Sequence, residues 1–243
     1  MSAVSLATWP PTADEYYLQA SSSRPVFQGD VFRDVPLVKA KNGGSVAREP
    51  NVSVERRMVA VLQYPSDIYT ASRLVKAQSI APVVEAAKVG IPPAWDGAYE
   101  YAPLPDLLGD GVAYAVNLRA VANIDSSYLR MSERVRCLSQ LGWAVFRQRK
   151  ALCDTRALIS LVDLVGIGSS TWCEVSLWQR WNEAGLPANE FQLWLDEREA
   201  AAGGFERRRL LSQRQEGLLR DRLEHTISVR VSVRGAVAPL SNP

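Results

Sequence analysis

Histidine is almost missing from this sequence: His225 is the single one in 243 residues. That shortage removes most imidazole chemistry, because no Ser/His/Asp triad can be assembled with assurance and no His-rich metal site can exist. His225 falls at the end of a predicted basic helix, where packing or interaction with the helix dipole is the favoured reading and catalysis the alternative. Cysteine is also scarce. Cys137, Cys153 and Cys173 are odd in number, widely spaced and free of any CxxC pair, the usage of reduced thiols in a cytoplasmic protein rather than of a disulfide framework. No apolar run approaches the ~18 residues of a membrane span. The opening, MSAVSLATWPPTADEYY, has no basic segment, no long apolar core and two consecutive prolines, so no secretory leader is expected. Repeats and low-complexity tracts are lacking too. The net charge of +2 is too small to announce a nucleic-acid partner by itself.

What is present is the composition of an ordinary folded protein, 47% hydrophobic and 22% charged, in a chain long enough for a sizeable core. Residues 1–24 read as a loosely held arm ending in the polar run Ala20-Ser21-Ser22-Ser23. From residue 25 to 125 the pattern is β-like. Val26-Phe27, the turn Gly29-Asp30 and the stretch Val31 to Val38 suggest two extended segments around a tight turn or bulge. Asn42-Gly43-Gly44 is a turn. Arg57 to Gln63 is a short buried strand delivering the loop Tyr64-Pro65-Ser66-Asp67. Arg73 to Val84 is another strand with Pro82 near its end or on an edge. Ile91 to Gly97 is a loop, and Gly111 to Leu118 is again a strand. Such a series suggests a small open barrel or a sandwich.

Beyond Asp125 the spacing lengthens. Val135, Leu138, Leu141, Val145 and Leu152 recur at helical intervals, which predicts a helix through them in a module spanning 126–225. Gly166-Ile167-Gly168-Ser169-Ser170 predicts a helix-to-helix turn; it lacks the lysine and spacing of a phosphate loop. Thr171, with Glu174 three residues on, predicts a capped helix running to Ala184. Further helices are predicted over Glu190 to Ala202 and Phe205 to His225. In the last segment, 226–243, Ile227, Val229, Val231 and Val233 alternate with Ser228, Arg230, Ser232 and Arg234, predicting a strand that returns to the barrel.

Positive charge gathers on the helical module. Between Arg130 and Arg156 seven basic residues face two acidic ones. Arginine predominates, which suits bidentate contacts to phosphate or carboxylate. Arg147 and Arg149 are the candidate contact residues of this region, and Trp178 and Trp181, three apart, are candidate hot spots as well as core residues. Asp30 reads as a turn carboxylate or as one exposed at a barrel mouth. Tyr64, Ser66 and Asp67 put a phenol, a hydroxyl and a carboxylate on one loop carried by a rigid strand, where binding residues are commonly found.

Three stretches, Gln28-Gly29-Asp30-Val31-Phe32, Tyr64-Pro65-Ser66-Asp67-Ile68-Tyr69 with Ala81-Pro82-Val83, and Leu138-Ser139-Gln140-Leu141-Gly142 with Thr155-Arg156, resemble an uncharacterised family of actinobacteria and their phages. That family usually carries a Pro-Cys-Asp triplet where this chain has Pro65-Ser66-Asp67. A more distant similarity is to the PemK/MazF-type toxins, carried by Gly29-Asp30, by Arg57 before Met58 to Leu62, and by Ser79. It implies an SH3-like barrel. It also implies, as the alternative function, a metal-independent endoribonuclease in which Arg57 stabilises charge on the scissile phosphate and Ser79 positions it. The leading expectation is an α+β chain, a small SH3-like barrel followed by an Arg-rich helical module, acting as a non-catalytic interaction protein. Its partner is expected to be a protein or RNA/DNA met through the basic helices, with a homodimer open, no membrane and no cofactor.

Overall fold

The structure is a computed structural model and describes residues 10–18, 23–41, 51–70, 73–156, 158–201 and 213–236. The chain divides into two compact units, one made of residues 1–22, 26–69 and 74–166, the other of 23–25, 70–73 and 167–243.

The first unit is an eight-stranded antiparallel sheet curled into a half-barrel. Its strands are β1 (Tyr17–Leu18), β2 (Val31–Lys41), β3 (Asn51–Val61), β4 (Ala77–Glu85), β5 (Tyr101–Leu104), β6 (Tyr114–Asn117), β7 (Ala122–Asp125) and β8 (Arg134–Leu138), in the order β1-β8-β2-β3-β4-β6-β5, with β7 also on β4. Pro82 lies inside β4, opposite Val59, where the far edge of that strand passes from β7 to β6. The inward face buries Phe32, Val35, Val59, Val61 and Ile80 together with Val26, Ile68 and Leu129. At about 1.5–3 kcal/mol for each large apolar side chain, this cluster is a main source of the unit's stability. Between Phe32 and Val35 the β2–β3 register shifts. Asp34 takes φ 59° there, and Arg56 Nη1 donates to its carbonyl and carboxylate.

Two expectations for this unit are corrected. The described part of the N-terminal segment is fastened, not loose: α1 (Ala13–Tyr16) leads into β1, which pairs with β8, and Tyr16 is fully buried. The helix predicted through Val135 and Leu138 begins later, because residues 134–138 are strand β8. Ser139 ends the strand by accepting from Gly142 N–H and so caps α3 (Gln140–Thr155), the usual work of an N-cap serine. Gly142 is required at that point. A Cβ there would lie 2.2 Å from the Tyr16 carbonyl oxygen.

Helices α4 (Leu161–Glu183), α5 (Ala188–Ala201) and α6 (Gln213–Ala236) furnish the second unit. The turn predicted at 166–170 is instead helix, and Thr171 caps nothing, since α4 runs through both. The C-terminal strand is likewise overturned: residues 226–236 belong to α6. Leu219, Leu223 and Ile227, four apart, bury one stripe of that helix, and this helical period overrides the alternation of β-branched residues. His225 is therefore an exposed residue inside a helix. The predicted break at 203–204 and the start of the last helix at Phe205 lie outside the described residues.

Candidate functional site

Gln28, Gly29 and Asp30 form a buried knot at the entry to β2. Asp30 Oδ2 accepts from Phe27 N–H at 3.0 Å and from Arg134 Nη1 at 3.2 Å, and the side chains of Asp30 and Arg134 are 0% and 2% exposed. Gly29 holds φ 85°, and a Cβ on it would meet Leu138 Cδ1 at 2.2 Å. Gln28 Nε2 donates to the Leu62 carbonyl at 2.8 Å, while its Oε1 accepts from Trp143 Nε1 at 3.0 Å. The motif is thus a structural joint between β2, β8, the end of β3 and α3. The reading of Asp30 as an exposed carboxylate at a barrel mouth is corrected by this burial.

The joint acts on the loop just beyond the end of β3. By fixing Leu62 to Trp143, Gln28 brings the following loop beside α3. Tyr64 is half exposed and caps the short helix α2 (Pro65–Ile68), with Pro65 in its first turn; Asp67 N–H donates to the Tyr64 carbonyl. Gln63 braces the loop, donating to Asp67 O at 2.6 Å and accepting from Ser79 N–H at 3.1 Å. Ser66 lies in α2, and Asp67 is exposed beside it. On α3, Arg147 rests its guanidinium 4.8 Å from the centroid of the Trp143 ring. Burial makes its proton easier to lose, and the neighbouring Tyr64 phenol acts against that. Arg147 makes no ion pair among the described residues. A guanidinium held on an aromatic face keeps its net charge and its edge N–H groups, unlike one matched to a carboxylate. Of the predicted contact residues, Tyr64 is the one whose charge reaches Arg147.

The others are dispersed. Arg57 shares a sheet face with Val35, its partner on β2, and with Val59 and Val61 along β3; Val61 pairs with Ile80. Side chains alternate across a strand, so Ser79 points to the opposite face. Arg57 is bonded to Glu55, and Ser79 Oγ bonds Asn123 Oδ1 at 2.8 Å. The two residues that the toxin resemblance would join do not share a groove. Arg149, two positions from Arg147, points to a nearly opposite side of α3 and lies beside the buried Tyr16. Trp178 and Trp181 are core residues of the second unit: Phe191 stacks on Trp178 at 5.5 Å and meets Trp181 edge-on at 5.8 Å, with Trp194 at 6.0 Å. Trp181 Nε1 donates to Pro187 O and Trp194 Nε1 to Thr226 Oγ1.

No known family's sequence profile matches this chain. A search of characterised proteins returns no match either.

Much of the basic charge is compensated internally. Arg33 pairs with Glu133, Arg56 with Asp34, Arg119 with Glu100, Lys150 with Asp154, and Arg180 with Glu224. Among the described residues no group of three or more His, Cys, Asp or Glu side chains gathers as a metal site would, and no helix is long and apolar enough to cross a membrane. The reading of the sequence missed Trp143 and gave Gln28 no role beyond opening a motif. The four-residue spacing of Trp143 and Arg147, neighbours on one helix face, was the available signal for the first; nothing local marks the second, whose partners lie 34 and 115 positions away.

Proposed function

We propose that this chain is a non-catalytic interaction protein, an SH3-like half-barrel with a helical extension that grips an acidic group of a protein partner between Tyr64 and Arg147. The observation that carries this reading is the half-buried Arg147 cation, held on Trp143 without a carboxylate among the described residues and flanked by an exposed phenol. Such a corner supplies guanidinium and hydroxyl donors on a scaffold already fixed by Gln28, so little ordering cost accompanies binding. A protein partner is favoured over nucleic acid because a polyanion needs a continuous track of free cations, whereas here Arg134 is buried against Asp30, Arg147 and Arg149 diverge, and Lys150 is already paired. The curled antiparallel sheet with its inward apolar cluster supports the SH3-like description.

The test uses two labelled probes, a poly-glutamate peptide and a mixed-sequence single-stranded RNA in EDTA, against the wild-type chain and Arg147→Ala. The peptide should bind, and Arg147→Ala should weaken it by roughly 10- to 150-fold, the ~1.5–3 kcal/mol of a hydrogen bond to a charged group. The RNA should remain intact. Equal peptide binding by both proteins would overturn the assignment of Arg147, and RNA cleavage lost in Arg57→Ala would overturn the non-catalytic reading.

A further inference from the structure

Beyond their bulge, β2 and β3 continue as a two-stranded ribbon. β3 pairs with β4 only at residues 59–61, and β2 pairs with β8 only near Val31 and Phe32. Among the described residues, 51–58 therefore have no strand neighbour on that edge. Val38 stands opposite Val54, and Ala40 opposite Val52, so the valines share one face. Val38, Val54 and Val52 are 70%, 64% and 61% exposed. Free edges and apolar ladders of this kind are sites of strand addition.

We propose that the occupant of this edge is a second copy of the chain, its β3 strand pairing antiparallel with β3 about a two-fold axis at Ser53. The register follows from the strand's own sequence. With the axis perpendicular to the sheet, opposed residues share a face, and only a few centres are open. An axis at Glu55 or at Arg56 sets like charges directly opposite each other, which is destabilising. An axis at Val54 sets Arg56 opposite Val52. An axis at Ser53 sets Val52 opposite Val54 twice, so that Val38, Val54 and Val52 of the second copy form one row across a four-stranded sheet. It also brings the two Ser53 hydroxyls together. Ser53 Oγ is shielded from water and has no hydrogen-bond partner among the described residues, and Ser–Ser pairs are stabilising cross-strand contacts. A single strand pair lies at the small end of specific interfaces, so association in the micromolar range is expected. The inference is independent of the Tyr64–Arg147 corner.

Sedimentation velocity of the full chain from about 1 to 200 μM tests the dimer, and oxidative cross-linking tests its register. In a Cys153→Ser background, Ser53→Cys should yield one cross-linked dimer, since directly opposed Cβ atoms come within about 4.5–5.5 Å. Val52→Cys and Val54→Cys should cross-link when mixed and far less when each is alone. Val54→Lys, at an exposed position, should keep the circular dichroism spectrum and weaken dimerisation at least tenfold. A monomer throughout the concentration range, or a dimer indifferent to Val54→Lys, overturns the proposal. Efficient cross-linking of Val54→Cys to itself would overturn the register.

Discussion

Replacing Asp30 by alanine isolates the energetics of the buried knot. The change leaves the Arg134 guanidinium, 2% exposed, without its carboxylate, and breaking a buried pair from one side costs about 3–5 kcal/mol. It also strips the Phe27 N–H of its acceptor, an unsatisfied donor worth about 1–3 kcal/mol. These losses overlap, since water or a rotated side chain can enter, so a net loss of about 4 kcal/mol is expected. With an m-value of about 2.5 kcal/mol/M, the urea midpoint should fall by about 1.5 M. The decisive comparison is the double variant Asp30→Leu with Arg134→Met, which removes both charges and keeps the volume. Because a buried pair exchanged as a whole for apolar groups is often neutral, the double variant should be more stable than either single one, with a coupling of at least 2 kcal/mol. Urea unfolding followed by far-ultraviolet circular dichroism measures all four proteins. A loss below 1 kcal/mol for Asp30→Ala, or losses that simply add in the double variant, would refute the reasoning.

Gly29→Ala should destabilise by about 1–3 kcal/mol through the positive φ alone, and more where its Cβ meets Leu138; a urea midpoint unchanged from wild type would contradict that close approach. Val229→Pro should cost about 3 kcal/mol and measurable helical signal, as proline does inside a helix, whereas a half-exposed edge strand would tolerate it better. Glu224 is held below the ordinary glutamate range by its hydrogen bond to Arg180. Its contribution is therefore complete above that range and is lost as the pH falls through the depressed value, so Glu224→Gln should show a shallower acid-side fall in stability than wild type. An identical pH profile for both would remove that pair from the stability of the second unit.

The parts of this fold that the sequence announced are those fixed by short-range pattern. The apolar run Val59 to Val61 is the end of β3, Tyr114 to Asn117 is β6, and Gly29-Asp30 makes a turn before β2. The parts that it concealed are decided at a distance. Asp30 looks like any turn aspartate until Arg134, 104 positions later, is placed on it. Arg134 to Leu138 satisfies a helical spacing, yet the edge of β2 on one side and β1 on the other make it a strand. Ile227 belongs to two superimposed periods, and the four-residue interval prevails: it is buried with Leu219 and Leu223, while Val229, its partner in the alternation, is half exposed. The candidate site was half legible: Tyr64 and Arg147 stood out by residue type, but the Trp143 face on which Arg147 rests and the Gln28 bonds that tie it to the end of β3 are set at long range.

The pairing of Tyr17 with Leu138 also sets a timetable for the nascent chain. Among the described residues, β1 and the outer edge of β2 have no strand neighbour until β8 has been synthesised, about 120 residues after Tyr17, or roughly 6–24 s at ribosomal rates of roughly 5–20 residues per second. Once β2 has been made, its outer edge stays unpaired for the rest of that interval, and the half-barrel cannot close from its N-terminus onward. A ribosome paused before Leu138 thus holds an open sheet edge that chaperones would have to guard, and release of β8 from the exit tunnel is the event that lets β1 and β2 find their strand partner.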